Sequence, residues 1–166
     1  MAVSVQFPAA KAHATLKQVH AFQQAIEDHR YLSEYVANVQ HSTALFSESE
    51  PRERIASVRA FLAEHVVGHF AFEESDVFPQ LIAKEAAPST LRVVEELVAE
   101  HGAILVSVRR LRRKMRGIRA RGGARGLESL EQSFRDLLHV LHTHAIKEDN
   151  LLLSVKQARR RAARLT

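Results

Sequence analysis

The same arrangement of imidazole and carboxylate occurs twice in this chain of 166 residues. In the first half, His29 is followed 40 residues later by His69-Phe70-Ala71-Phe72-Glu73-Glu74. In the second, His101 is followed 43 residues later by His144-Ala145-Ile146-Lys147-Glu148-Asp149. Each copy holds a His-x-x-x-Glu with one more acid behind it, and each leading His follows an acid, Asp28 or Glu100. The apolar frame repeats as well: Ile26, Leu32 and Val36 fall on Val98, Ile104 and Val108, and Leu62 and Val66 on Leu137 and Leu141. Imidazoles and carboxylates set into apolar frames are costly to bury unless they are paired or bind a metal. The fold must therefore bring the six together, and two copies of one pattern predict a two-metal site with a pseudo-twofold internal repeat.

Punctuation divides the chain into four long periodic segments. The first, 13–46, follows Pro8 and closes at 47–50. Pro51 suits the first turn of the second, where its missing N–H costs nothing. That segment reaches 86, although Pro79 should kink or interrupt it. Pro88 starts the third, and Gly122-Gly123 ends it by permitting a left-handed cap. The fourth covers 125–163. No comparable stretch alternates with period two. The fold expected is all-α, an up-down-up-down four-helix bundle over 13–166, preceded by a flexible segment over 1–12. At ~1.5 Å of rise per residue, the four His lie within a few turns of one level. Positions four apart stack on one helix face, so His69 points with Glu73 and His144 with Glu148. His29 shares its face with Phe22, Ile26, Leu32 and Val36, and His101 with Val94, Leu97, Leu105 and Val108.

The other His mostly fall off these faces. His20 lies opposite His29, His139 and His142 lie off the face of His144, and His13 and His41 sit near helix ends. His65, one turn before His69, is a candidate additional ligand, a support for the ligands, or a gate. The absence of Cys excludes disulfides, thiolate-bound zinc and protein-held iron–sulfur clusters. Imidazole and carboxylate suit iron, manganese or zinc. No apolar run reaches the ~18 residues needed to span a bilayer. Met1 to Lys11 lacks the basic start and apolar core of an export signal. The chain is expected to be cytoplasmic.

The Glu-x-x-His pairs of ferritin-like di-iron bundles are missing; the only acid-x-x-His is Asp136-His139, off the ligand face. The order His, His-x-x-x-Glu, His, His-x-x-x-Glu, with EESDVFP and EDNLLL at the glutamates, resembles the hemerythrin-like (HHE cation-binding) family over residues 14–160. The resemblance implies a four-helix bundle with a non-haem di-iron centre. His29, His69, His101 and His144 would be terminal ligands. Glu73 and Glu148 would bridge two iron ions beside an oxo or hydroxo group. The oxygen-carrying hemerythrins resemble a five-His site with His-x-x-x-His on the third helix, where this chain has Leu105. Their last carboxylate is spaced to select Asp149, whereas stacking and the parallel with Glu73 favour Glu148. The four-His, two-Glu set is closer to the family's iron–sulfur-repair branch, whose short Cys-bearing domain this chain lacks.

The function expected is a non-haem di-iron protein that binds or reacts with O2, NO or peroxide. It would serve in sensing, handling or detoxification under oxygen or nitrosative stress, with an electron donor as partner. A structural or storage metal bundle is one alternative. Another is a nucleic-acid or acidic-partner module, because Arg109, Arg110, Arg112, Arg113, Lys114, Arg116, Arg119, Arg121 and Arg125 crowd one region and Arg159, Arg160, Arg161 and Arg164 another. Antiparallel helices put these clusters at opposite ends, and no aromatic residue interleaves with them for stacking. If the arginines encircle a helix end, nucleic-acid binding should be weak and nonspecific.

Overall fold

The computed structural model describes residues 9–41, 45–46, 51–84, 87–121, 124–162 and 164. Four long helical spans account for nearly all of them, and none of the described residues is in a strand. Helix α1 is Ala9–His41. The second span, α2, runs over 51–84 without a break but not uniformly. Its α-helical pieces Pro51–Phe61, Gly68–Phe72 and Phe78–Lys84 are separated by wider π-helical turns at Leu62–Val67 and Glu73–Val77. Helix α3 is Pro88–Arg121 and α4 is Ala124–Ala162. Pro51 and Pro88 each open a helix, as their missing N–H allows.

Three boundaries differ from the sequence expectation. Helix α1 starts at Ala9, inside the segment expected to be flexible, while residues 1–8 lie outside the described residues. It ends at His41 instead of continuing to 46; Leu45 and Phe46 form a bend, not helix, and both are buried in the core. Pro79 does not interrupt α2. The helix is interrupted instead by its two π-turns, the second of which ends two residues before Pro79. A π-turn already replaces the regular bonding ladder that a proline would break. Gly122-Gly123 and 47–50, expected to close α3 and α1, lie outside the described residues.

Helix α4 packs against both α3 and α1, and α2 packs against both α1 and α3, so the four close a square of sequential neighbours. This is the up-down-up-down bundle that short connections favour. The core has two apolar parts. One gathers Leu32, Val36, Phe61, Leu62, Ile104, Val108, Phe134 and Leu141 with their neighbours. The other gathers Ala25, Val77, Phe78, Leu97, Leu151 and Leu152. Each helix passes from one part to the other through a polar position: His29 lies between Ala25 and Leu32, and His101 between Leu97 and Ile104. The repeat is less exact than the sequence suggests, because Val98 is exposed where its counterpart Ile26 is half-buried.

Four of the arginines of α3 gather on one side of the helix, while Arg110 faces another groove. Arg109, Arg112, Arg113 and Arg116 line one cleft together with Arg59 of α2. Spacings of three and four residues place them on a single face. No helix among the described residues is long and apolar enough to cross a membrane.

Candidate metal centre

The polar layer between the two apolar parts contains His29, His69, Glu73, His101, His144 and Glu148, all buried and none more than 6% exposed. No other polar or charged side chain among the described residues is so deeply buried. The layer draws on all four helices. The four-residue spacing stacks His144 over Glu148 on regular α4, while in α2 Glu73 opens the second π-turn immediately after the α-helical piece carrying His69. Isolated π-turns inside helices recur at functional sites. They are not legible in the composition of Leu62–Val67 or Glu73–Val77.

All four imidazoles are oriented alike. Each Nδ1 donates to a carboxylate on a neighbouring helix: His29 to Asp149 at 2.8 Å, His69 to Asp28 at 3.2 Å, His101 to Glu74 at 2.8 Å, and His144 to Glu100 at 2.8 Å. These bonds form a closed ring. Helix α1 holds the imidazole of α2, α2 that of α3, α3 that of α4, and α4 that of α1. Each carboxylate is the sequence neighbour of a buried His or Glu on its own helix, so a single turn supplies one inward group and one clamp for the adjacent helix. Lys147 continues the chain outward, bonding the second oxygen of Glu100 at 2.8 Å and Glu96 at 2.9 Å. The sequence marks Asp149 as an alternative ligand and leaves Asp28, Glu74 and Glu100 without a role. The pairing of acid with ligand in Asp28-His29, Glu73-Glu74, Glu100-His101 and Glu148-Asp149 was the available signal.

With each Nδ1 turned outward to its carboxylate, all four Nε2 atoms point into the layer, where the neutral ring offers a lone pair to a metal. Glu73 stands between them. Its Oε1 lies 2.7 Å from His69 Nε2 and 3.3 Å from His29 Nε2, while its Oε2 lies 3.3 Å from His101 Nε2. Glu148 Oε2 also reaches both sides, 3.7 Å from His29 Nε2 and 3.8 Å from His144 Nε2. Two groups of donors converge as a metal ion requires, with ligand atoms within 4.8 Å of one another. They are His29, His69 and Glu73, and Glu73, His101, His144 and Glu148. Glu73 belongs to both.

The atoms facing this space are poorly satisfied by protein alone. His29 Nε2, His69 Nε2 and all four carboxylate oxygens of Glu73 and Glu148 are buried without a hydrogen-bond partner. The short approaches to Glu73 do not align as hydrogen bonds. His101 Nε2 and His144 Nε2 face each other at 3.0 Å. With both Nδ1 atoms protonated, two lone pairs oppose there unless a proton or a cation lies between them. Unpartnered buried polar atoms are expensive and call for an explanation. Cations bonded to nitrogen and oxygen at about 2.0–2.2 Å would satisfy all of them. The residues present fit a metal centre.

Protonation follows the same logic. Burial opposes a charge on His29, but Asp149, Glu73 and Glu148 outweigh it and raise its pKa to about 10. Burial likewise opposes and carboxylates outweigh it at His69, whose pKa is also raised. At His144 burial, helped by the facing His101, prevails over the bond to Glu100 and lowers the pKa. Burial opposes ionisation of Glu73, yet His101, His29 and His69 hold it well below the usual carboxylate range. Burial and the charge of Glu73 push Glu148 up to about 9. Without metal, burial and the charge of Glu73 therefore favour the neutral form of Glu148.

Phe70 stacks on His101 with ring centroids 3.8 Å apart, and Phe78 lies on it at 5.7 Å. The other sequence candidates fall elsewhere. Asp149 clamps His29 from outside, and it is Glu148 that enters the layer. His65 is half-buried, with its ring against Tyr31 at 4.4 Å and Phe61 at 5.9 Å, in neither donor group. The first π-turn changes the angular register between His65 and His69, which an uninterrupted α-helix would have stacked. Tyr35 stacks on Phe61 at 4.0 Å. His20 and His139 are exposed, and the side chains of His13 and His41 lie outside the described ones. His142 is half-buried with a partnerless Nδ1.

A search of curated proteins and a search of solved structures each return no match. The family model of the hemerythrin HHE cation binding domain matches residues 20–156. That span covers most of the chain and includes all six buried ionisable residues and their four clamps. The chain belongs to the hemerythrin HHE cation-binding family.

Proposed function

We propose that this centre holds two iron ions sharing an oxo or hydroxo bridge, and that it binds or reacts with O2, NO or peroxide in sensing, handling or removing them. The observation that carries the reading is Glu73, a buried carboxylate whose two oxygens face two separate imidazole pairs. A donor set of imidazole and carboxylate, without thiolate, suits iron. An iron pair supplies a redox couple and positions at which a small ligand can bind.

The chain's own residues do the rest. The four outer carboxylates fix each ring and its tautomer, which keeps the Nε2 lone pairs directed inward and makes them more basic. Glu73 and Glu148 balance charge between the two sides. The apolar parts above and below the layer keep bulk water out. Two His and two shared carboxylates give each side few protein donors. Leu105, four residues after His101, is half-buried against apolar neighbours and offers none. Tyr31, Tyr35 and His65 are engaged with one another and with Phe61. Room for a small ligand is thus supported on both sides. An electron donor would return the centre to its reduced state.

The test is rapid mixing of the reduced, metal-loaded protein with O2 and, separately, NO, followed by absorption. Fast reaction with at least one is expected. Stable reversible O2 uptake that persists in air would contradict a centre lacking a capping donor. Inertness toward both would contradict small-ligand chemistry altogether.

A further inference from the structure

The cleft between α2 and α3 is lined by Arg59, Val106, Arg109, Arg112, Arg113 and Arg116 and has a volume of about 540 Å³. That falls within the range of small-ligand sites. It starts five residues beyond His101, about 8 Å along the helix, and shares no residue with the buried centre. Among the described residues, none of the five guanidinium groups is paired with a carboxylate. Arg30, Arg135 and Lys147, by contrast, each have an acidic partner. Five like charges converging on one hollow repel each other unless an anion joins them.

The lining also restricts the anion. It presents guanidinium N–H donors and one apolar side chain, with no acceptor to receive a ligand's hydroxyl or amino hydrogen. It has no aromatic ring on which a base could stack and no Asn or Gln to read a base edge. Guanidinium forks match phosphoryl oxygens in pairs. Arg109 to Arg116 spans about 10 Å of helix, long enough for several linked phosphoryl groups rather than one. We propose that this cleft binds an oligophosphate chain through its phosphoryl oxygens, with Arg59 closing on it from one helix and the four arginines of α3 from the other. The chain can be free or carried by a nucleoside, because nothing in the lining recognises more than the phosphates.

Calorimetric titration of the metal-loaded full chain with inorganic tripolyphosphate, at about 0.15 M salt where exposed charges are screened beyond about 8 Å, tests this. Saturable binding is expected, with ATP within a few-fold of tripolyphosphate and orthophosphate weaker by about tenfold or more. Arg112→Gln/Arg116→Gln should weaken binding by at least about tenfold. Arg109→Gln/Arg113→Gln, at two exposed positions, should do the same and guards against loss through misfolding, with metal content and circular dichroism as checks. Arg110→Gln should change nothing, because Arg110 faces a different groove beside Asp136. Absence of saturation, equal loss in the Arg110 variant, or ATP binding at least about tenfold tighter than tripolyphosphate would each overturn the proposal. So would duplex DNA that displaces tripolyphosphate at a lower phosphate concentration.

Discussion

Asp149→Ala removes the acceptor of the 2.8 Å bond from His29 Nδ1 and leaves every donor inside the layer in place. His29 then loses the constraint on its ring and on its tautomer. Loss of such outer partners weakens metal binding by about 10- to 100-fold. His29 is 2% exposed but Asp149 is 37% exposed, so solvent screens part of the interaction. We therefore expect the lower end of that range, about tenfold or ~1.4 kcal/mol. Asp28→Ala, removing the longer 3.2 Å bond to His69, should cost less. Proton competition adds a pH signature. Asp149 is the chief support for the raised pKa of His29, so its removal also eases displacement of the proton by metal. The deficit should consequently grow between pH 7 and pH 9. Chelator competition at the two pH values measures it. Affinity within twofold of the parent at pH 9, or an equal loss from exposed Glu128→Ala, would refute the idea that the outer carboxylates tune the centre.

Removing metal should make stability fall with rising pH. His29 and Glu148 have folded pKa values raised to about 10 and about 9, so their contributions are present below the unfolded values and lost as pH rises through the folded ones. Thermal melts of metal-free and loaded protein should therefore diverge between pH 6.5 and 9, and a constant gap would count against the assignment. Phe134→Ala, at a fully buried ring in the apolar part that also holds Leu32 and Phe61, should cost about 3–5 kcal/mol in denaturant unfolding without changing the metal stoichiometry of the folded protein. His69→Ala or His144→Ala should lose at least one metal ion per chain, while exposed His20→Ala should lose none; equal losses in metal analysis would undo the assignment of helix faces.

The repeat made the six inward residues legible because stacking at a four-residue spacing is a local property of helices. His69 with Glu73 and His144 with Glu148 needed no tertiary knowledge. The clamps were less legible, since Asp28 serves His69 and Glu74 serves His101 across helix boundaries that only packing defines. The π-turns of α2 carry no marker in residue type, and the first separates His65 from the face that uniform α-helical spacing assigns it with His69. The arginine face of α3 could have been found from its own spacing of three and four. Its completion by Arg59 could not, because that contact depends on how α2 and α3 lie together.

Metal content per chain, measured on protein made in iron-replete cells together with its absorption spectrum, tests the central claim most directly. Glu73 shared between two imidazole pairs predicts close to two iron ions per chain, with the absorption of an oxo-bridged ferric pair. A single ion per chain, or stoichiometric zinc with no iron, would contradict it.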